Sequence, residues 1–582
     1  MTMIDALSAQ RTRLVNLWHA RRAAKVRAAN GLMSQPEPKS IGSFARGRQL
    51  VAGNCLFAGH LIETDGRLIW EIEAPDAAFE NEIHGFAWLD DLAAVGDASA
   101  RQLAQRWLLG WMDRYGNGTG PGWTPDLAGR RLFRWTSHAM LLLRGMEKAQ
   151  SEKMFDSLSQ QTVFVSRRWQ AASPGLPRFE ALMGLVYAGL SLTGLEAYIG
   201  PARKALAMEC EQQIDATGGI ATRNPEHLLE ILSLLTWAAQ ALEEGEMPVE
   251  DSHRNAIQQI AATLRVLRHA DGGLARFHGG GRGLDGRLDQ ALALAGAPST
   301  MTDTYAMGYA RLPGGRSTVN LDAGLPPKGS ASVNAHASTL AFELTSGRRP
   351  VIVNCGAGTS FGVDWQRAGR ATPSHSTLGL AGVSSAQLGP QAHYRGYLRE
   401  LLVEGPQNVP HKLITGTKGA RFEGGHDGYL KRFGLTHVRQ LELGADGRAL
   451  EGEDTLACLA APDQKRFDKV LDGRALDGVP FAVRFHLHAE VDVALDMGGN
   501  AVSLALKSGE IWVFRHDGTS TLTLEPSVYL EKGRLQPRAS QQIVLSAKAV
   551  TYATRVRWSL AKAQDTPNSI RDVVRDDPVL PD

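Results

Sequence analysis

Between residues 80 and 300 the apolar positions recur at the three-to-four-residue spacing of helices, interrupted by clusters of Gly, Pro and Asn. The stretches at residues 178–192 and 226–244 are apolar on nearly every side, which predicts two well-buried helices. Between them, residues 203–214 have a conventional amphipathic pattern. Long helices separated by short breaks predict stacked helical hairpins, arranged as a bundle or a toroid.

Beyond residue 300 the pattern changes to short segments with strand-like alternation. Residues 341–356 read as a hairpin with a Ser-Gly turn, and residues 502–526 repeat the theme with turns at SGE and HDG. Residues 481–495 alternate apolar with polar side chains. Many short strands bounded by turn residues predict a large antiparallel sandwich.

Helices first and strands second indicate an α+β chain with separate domains and a cleft where they meet. A chain of 582 residues is too long for one core, because single cores stop growing at about 250–300 residues. We predict four segments: residues 1–75 as a basic helix and arm, 76–300 as the helical domain, 301–563 as the sandwich and 564–582 as a flexible tail.

The balance of charge argues against a nucleic-acid partner. The chain carries 63 basic and 61 acidic residues, for a net charge of +2. Any attraction for an acidic substrate must therefore be local, within a cleft. The four cysteines share no CxxC spacing and are predicted to be buried thiols. Nothing in the composition indicates an oligomeric state.

The first 30 residues predict a basic amphipathic helix with Arg11, Arg13, Arg21, Arg22, Lys25 and Arg27. Two interpretations stay open: the helix packs on its own protein, or it makes peripheral contact with an anionic membrane. No apolar run approaches the roughly 20 residues of a transmembrane helix. The segment also lacks the apolar core of a secretory signal, so we expect a cytoplasmic protein, with the periplasm or cell envelope as the alternative.

A group of amide and imidazole side chains opens the β half. Asn334, His336 and Ser338 alternate along a segment that we expect to be extended, so their side chains would share one face. Asn354 and His375 follow downstream. Two histidines with an amide oxygen suit a divalent metal such as structural zinc, whereas a hydrogen-bonded network explains the same residues without a metal.

Two arginines near predicted helix N-termini form a candidate anion site in the helical half. Arg178 lies beside Glu180, and Arg223 lies in TRNPEH close to His227, where free backbone N–H groups also attract anions. The TRNPE segment is equally explained without any function, if Asn224 caps the helix and the following proline occupies its first turn.

The Gly-rich segment RFHGGGRG lacks the strand and the lysine of a phosphate-binding loop. We interpret it as a flexible connection that carries Arg276 and His278 into the cleft as substrate-binding residues. Trp88, Trp123 and Trp135 lie in the helical half. Tryptophan there is more often core than a sugar-stacking surface, and we expect these three in the core.

The segment NAHASTLAFELTSGRRPVIVNCGAG, followed by ATPSHSTLGLAG, resembles the C-terminal signature of heparinase II/III polysaccharide lyases. HDGY and HVRQLEL extend the match, and GRRLFRWTSHAMLLL, GLPRFEALMGLVYAGL and GGIATRNPEHLLEIL look like diverged forms of the family's helical domain. The resemblance covers most of residues 120–520. It implies an α+β multidomain protein in which an N-terminal (α/α) toroid of helical hairpins precedes a C-terminal antiparallel β-sandwich.

The resemblance also implies an activity, the eliminative cleavage of uronate-containing acidic polysaccharides. In this reaction a base removes the proton α to the uronate carboxylate, a polar or cationic group neutralises that carboxylate, and an acid assists the leaving oxygen. The family's catalytic Asn/His segment falls on residues 175–180 of this chain, where Gly175 and Glu180 survive. Its catalytic Tyr falls on His227, and the first His of its HxHxD motif becomes Asn334.

The metal ligands that some family members carry are also altered. The second His of the HxHxD motif is His336, and the His of the family's AHN motif is His375. The ligand Asp of the VDPG motif becomes Asn354, which lacks a carboxylate charge. The resemblance therefore implies a zinc set of His336, Asn354 and His375 that would bind the metal more weakly.

Three functional hypotheses follow. The first is a lyase for an acidic polysaccharide or oligosaccharide, with His227 as base or acid, Asn334 and Arg223 at the carboxylate and Glu180 as the orienting residue. The second is a glycan-binding or envelope-associated protein that keeps the cleft without turnover. The third is a hydrolase with Glu180 and Asp271 as opposed carboxylates.

Overall fold

The computed structural model describes residues 3–27, 29–34, 36–296, 304–394, 397–564, 566 and 572. Its N-terminal half is helical and contains one small hairpin. The helices are α1 (Met3–Ala23), α2 (Phe44–Val51), α3 (Ala77–His84), α4 (Trp88–Val95), α5 (Ala98–Tyr115), α6 (Pro125–Ser137), α7 (Ala139–Leu143), α8 (Lys148–Arg168), α9 (Leu176–Ser191), α10 (Ile199–Gln213), α11 (Pro225–Glu244), α12 (Asp251–Leu267) and α13 (Arg287–Leu294). The hairpin consists of β1 (Asn54–Phe57) and β2 (His60–Glu63).

The three helices predicted from apolar spacing are confirmed as α9, α10 and α11. The predicted cap of α11 is also confirmed, because Asn224 accepts hydrogen bonds from the backbone N–H groups of Glu226 and His227 at 3.0 and 3.2 Å. Pro225 occupies the first turn, where its missing N–H costs nothing. These local interactions fix where α11 begins, and with it the position of His227.

The helical half is an (α/α) toroid with one aromatic-rich core. Trp88, Trp123 and Trp135 are buried in it, as predicted. Helices α6 and α9 approach closely because Gly129 and Gly184 face each other, and a Cβ on either would collide with the backbone of the other helix. Glycine therefore permits the backbone contact that sets the spacing of these two helices.

Several described residues before position 76 contribute to the toroid core. Ala20 and Phe57 are buried in the same apolar cluster as the tryptophans, and α1 packs against α8. The prediction that the N-terminal helix packs on its own protein is confirmed. Leu14 and Trp18 stay exposed on α1. Peripheral membrane contact through this helix stays a prediction, and none of the described helices is long and apolar enough to cross a membrane.

The C-terminal half is a β-sandwich with three short helices. Its strands are β3 (Tyr305–Ala306), β4 (Tyr309–Gly314), β5 (Ser317–Asp322), β6 (Phe342–Ser346), β7 (Arg349–Val353), β8 (Leu378–Leu380), β9 (Gln387–Leu388), β10 (Ala392–Tyr394), β11 (Tyr397–Arg399), β12 (Leu402–Glu404), β13 (His411–Gly416), β14 (Gly419–His426), β15 (Thr436–Gly444), β16 (Ala449–Ala457), β17 (Val479–Leu487), β18 (Asp492–Asp496), β19 (Ala501–Ala505), β20 (Ile511–His516), β21 (Thr521–Tyr529), β22 (Arg538–Ala549) and β23 (Ala553–Lys562). The helices are α14 (Val363–Arg370), α15 (Leu430–Phe433) and α16 (Ala461–Asp472).

Two antiparallel sheets enclose the second apolar core. One has eight strands in the order β13-β14-β15-β16-β23-β20-β19-β18, and the other has nine, in the order β21-β22-β17-β7-β6-β5-β4-β3 with β8 beside β17. The predicted hairpin at residues 341–356 is confirmed as β6 and β7. The alternation predicted in residues 481–495 is confirmed along β17, where Val483, Phe485 and Leu487 face the core.

The extended segment predicted around Asn334, His336 and Ser338 is not a strand in the structure. The described residues between β5 and β6 form an irregular segment, so Asn334, His336 and Ser338 do not share one strand face.

Most of residues 564–582 lies outside the described residues. Asp572, which is described, forms an ion pair with Arg349 whose Nε–Oδ2 distance is 2.8 Å.

Candidate functional site

The predicted cleft falls at the junction of the toroid and the sandwich. The start of α11, the Gly-rich turn and the irregular segment before β6 come together there. Gly280 is so close to Asn224 that a Cβ would lie 2.7 Å from its Oδ1 atom. The Cβ of Asn334 lies 2.9 Å from where a Cβ on Gly279 would be, and Gly279 has a φ of +84°. Glycine is required at this turn, both for its left-handed backbone and for space.

His227 lies at this junction, in the first turn of α11. The residue is half-buried, and within the described part of the chain its imidazole makes no hydrogen bond. Burial lowers the pKa of His227 to about 4, and the positive charges of Lys532 and Arg130 act in the same direction. Glu226 opposes them. The imidazole is therefore neutral at pH 7, with a lone pair that can accept a proton.

Two ion pairs contain cations whose charge acts on His227. In the first, Lys532 of the sandwich pairs with Glu226, which also accepts the backbone N–H of Gly281 at 2.8 Å. The ammonium group helps to lower the pKa of Glu226 against the effect of burial. In the second, Arg130 Nε lies 2.9 Å from Glu180 Oε1. The catalytic cleft predicted around His227, Glu180 and Asn334 is thus lined by two cations that already have carboxylate partners.

A chain of imidazoles lies beside Asn334. His375 Nδ1 lies 2.8 Å from the carbonyl oxygen of Ala371 and must donate to it, so His375 Nε2 is an acceptor. His336 Nδ1 donates to that atom at 3.0 Å. His278 Nδ1 accepts the backbone N–H of His336 at 3.1 Å. Burial lowers the pKa of all three histidines, so they form a neutral hydrogen-bonded group.

Arg223 holds the two halves together and is not directed at a substrate. Its guanidinium donates to the carbonyl groups of Met307, Gly308 and Leu325 at 2.8–3.0 Å. It also pairs with Asp322 at 2.6 Å. Because these contacts use most of its donors and the residue is buried, the predicted role at a uronate carboxylate is not supported by its geometry.

The three predicted substrate-binding residues are also engaged elsewhere. Arg276 is buried, donates to Glu343 and bonds the hydroxyl of Tyr529. His278 is buried in the imidazole group. Arg178 pairs with Glu209 of α10 at 3.0 Å, outside the cleft. Their positions indicate structural roles at the interface and in the toroid.

The predicted zinc set does not fit a metal as it is arranged. The Oδ1 atom of Asn354 accepts the backbone N–H of Ser376 at 3.0 Å, and its Nδ2 faces Glu343. Both ring nitrogens of His375 are used by Ala371 and His336. Among the described residues, no three His, Cys, Asp or Glu side chains are grouped as metal ligands. The zinc set implied by the family resemblance is not favoured by this arrangement, and no chemical step is assigned to it.

Three cleft residues were not singled out from the sequence. The charges of Arg130 and Lys532 act on His227, and Gln366 of α14 lies 3.5 Å from the Oδ1 atom of Asn334. No motif marks them. Arg130 lies in a helix with several arginines, and Lys532 lies 306 residues from Glu226 along the chain. Their role depends on the packing of the two halves.

Comparison with known proteins gives the family. A family profile described as "Heparinase II/III-like, C-terminal" matches residues 297–559. The crystal structure of heparinase III superimposes with a TM-score of 0.68 over 95% of this chain and 90% of that one, at 12% sequence identity. This chain belongs to the heparinase II/III family. The heparan sulfate lyase HepC from Pedobacter heparinus has the same fold, with a TM-score of 0.57, 14% identity and coverage of 95% and 89%.

One curated relative of this heparinase II/III family member is similar along nearly its whole length. FtsZ-localized protein C of Caulobacter vibrioides is 30% identical over 545 residues, which is 92% of this chain and 91% of that protein. The toroid and the sandwich predicted from the family resemblance are both confirmed.

Proposed function

We propose that this protein binds uronate-containing acidic glycans in the cleft and cleaves them by β-elimination, with His227 in the place of the family's catalytic tyrosine. The observation that supports this proposal is the neutral, half-buried His227 imidazole, which makes no hydrogen bond in the described part of the chain and is acted on by the positive charges of Lys532 and Arg130. A proton acceptor in the field of cations suits a substrate whose reacting carbon sits beside a carboxylate.

Each chemical role has a candidate in the cleft. His227 takes the proton α to the uronate carboxylate as the bond to the leaving oxygen breaks and a carbon–carbon double bond forms. The departing oxygen then needs a proton, which the newly formed His227 imidazolium can return. Lys532 is 47% exposed, so an incoming carboxylate can replace Glu226 as its partner. The Asn334 amide can hydrogen-bond the same carboxylate.

The test is an assay for unsaturated uronate with the purified full chain and a panel of uronate glycans. We expect ultraviolet-absorbing product from at least one glycan and a loss of about a hundredfold or more in His227→Ala, as for removal of a general base. His516→Ala changes a partly exposed histidine at the end of β20, whose Nδ1 atom accepts the backbone N–H of Gly518, and should keep full activity. A wild-type protein that forms no product from any glycan would reject the proposal.

The second candidate is a non-catalytic glycan-binding or cell-envelope protein. It is favoured by the relative whose name describes it as FtsZ-localized and by the use of Arg223 as an interface residue. Under this proposal the chain locates with FtsZ, and glycan affinity is unchanged by His227→Ala. Co-localisation of a fluorescent fusion with FtsZ, together with glycan binding but no product, would support this candidate over the lyase.

A further inference from the structure

The eight-stranded sheet ends in two exposed strands. β13 forms one end and β18 the other, and neither has a second neighbour among the described strands. Five of the six residues of β13 and four of the five residues of β18 are exposed. An exposed edge strand presents unpaired backbone N–H and C=O groups to which another strand can bind.

The two ends carry opposite charges. Lys412 and Lys418 lie in the stretch PHKLITGTKG, which contains no acidic residue. Asp492 and Asp496 lie in VDVALDMGGN, which contains no basic residue. In the described part of the chain Lys412 forms no ion pair. A lysine on an edge strand ordinarily repels a similar edge, but here the other end of the same sheet is acidic and attracts it.

One antiparallel register matches both charge and side-chain character. Placing Lys412 opposite Asp496 pairs opposite charges on the outer face. The other facing residues in that register are Leu413 with Leu495, Ile414 with Ala494, Thr415 with Val493 and Gly416 with Asp492. Ile414 is 48% and Leu495 52% exposed, so this contact would remove two large apolar side chains from water.

We infer that the two ends of this sheet are interaction surfaces for a second copy of the chain, with β13 of one copy pairing antiparallel with β18 of the next. The two surfaces differ, so the contact is head-to-tail. Each copy in the contact still has one free end, and repetition gives an open series of copies instead of a closed symmetric dimer. Because the strands are short, the association is weak and depends on concentration. Because it uses a pair of exposed opposite charges, it is also weakened by salt.

Sedimentation velocity of the full chain over a concentration series tests this inference. We expect the average mass to rise with concentration at low salt and to fall at high salt. Lys412→Asp and Asp496→Lys each place like charges opposite each other, and each should weaken association about tenfold or more. The double variant restores an opposite pair in every contact and should recover association. Lys465→Asp, on the exposed side of α16, is the control.

The charge-reversal variants distinguish this contact from nonspecific association. Circular dichroism melting curves should be unchanged in Lys412→Asp and Lys465→Asp, whose side chains are exposed, and only slightly lowered in Asp496→Lys, which loses the hydrogen bonds from Met497 and Ser503. A wild-type protein that stays a single copy at every concentration would overturn the inference. Failure of the double variant to recover, or growth that stops at two copies, would also overturn the head-to-tail contact.

Discussion

His336 donates its Nδ1 hydrogen to His375 Nε2 at 3.0 Å, because His375 has already committed its Nδ1 hydrogen to the carbonyl group of Ala371. This sequence of bonds fixes the neutral tautomer of both rings and leaves the lone pair of His336 on Nε2. The two imidazoles therefore satisfy each other, in a place where a metal ion would need both of their lone pairs directed at one point.

Metal content is the first quantity to measure. We expect purified protein to carry much less than one zinc ion per chain, because zinc must displace two hydrogen bonds and finds no carboxylate at Asn354. Mass spectrometry of wild type and His336→Ala checks this. Near-stoichiometric zinc that is lost in the variant would contradict the expectation and establish the zinc set predicted from the sequence.

Replacing Lys532 should raise the pKa of His227. In the wild type that pKa is about 4, lowered by burial first and by Lys532 next, while Glu226 raises it. Lys532→Met removes a cation and frees Glu226, so the pKa moves up towards the ordinary value. The acid limb of any lyase activity should then move to higher pH, because protonated His227 cannot accept a proton.

Histidine-selective NMR titration measures that pKa without relying on activity, with the His227 signal assigned from His227→Ala. Lys548→Met is the matched control, since Lys548 pairs with Asp477 on the outer surface of the sandwich. An unchanged or lower His227 pKa in Lys532→Met would show that the lysine does not act on this imidazole.

Gly279→Ala should damage both the fold and the cleft. An alanine at this position must adopt a φ of +84°, and its Cβ would lie 2.9 Å from the Cβ of Asn334. We expect the free energy of unfolding to fall by about 1–3 kcal/mol, measured by urea denaturation, and glycan affinity to fall as Asn334 is displaced. Gly286→Ala has a similar φ of +75° with no atom within 4 Å, so it should lose stability but keep glycan affinity.

Removing Arg223 should be among the most destabilising changes in the chain. Arg223→Met leaves the carboxylate of Asp322 buried without its cation, at an expected cost of about 3–5 kcal/mol in the free energy of unfolding. Arg254→Met breaks an exposed ion pair with Glu243 and should cost about 1 kcal/mol or less. Similar effects of the two substitutions in urea denaturation would contradict the interface role.

Local features of this chain were predictable from sequence, and contacts between distant segments were not. The start of α11 follows from Asn224 and Pro225, which act within one turn, and the β6–β7 hairpin follows from its Ser-Gly turn. Arg223 was predicted to bind an anion. It does bind a carboxylate, but that of Asp322, 99 residues further along the chain. Spacing along the chain cannot identify such a partner.

The candidate site shows the same division. His227, Glu180 and Asn334 are predicted through the family resemblance. In the structure Arg130, whose charge acts on His227, pairs with Glu180, and Asn334 lies beside Gly279. Lys532 was missed because its only relation to Glu226 is spatial. The irregular backbone around His336 was also missed, since alternating polar residues resemble a strand when their tertiary hydrogen bonds are unknown.

Because Arg223 of the toroid is inserted into the sandwich, the chain cannot be cut between its two halves without separating buried partners. A gene fragment encoding the C-terminal half alone would retain Asp322 and the carbonyl groups of Met307 and Gly308, but would lack the guanidinium that satisfies them. Ribosomes complete the toroid first. Arg223 is therefore already synthesised when the first sandwich strands are made. Its guanidinium is then available as the partner on which these strands assemble.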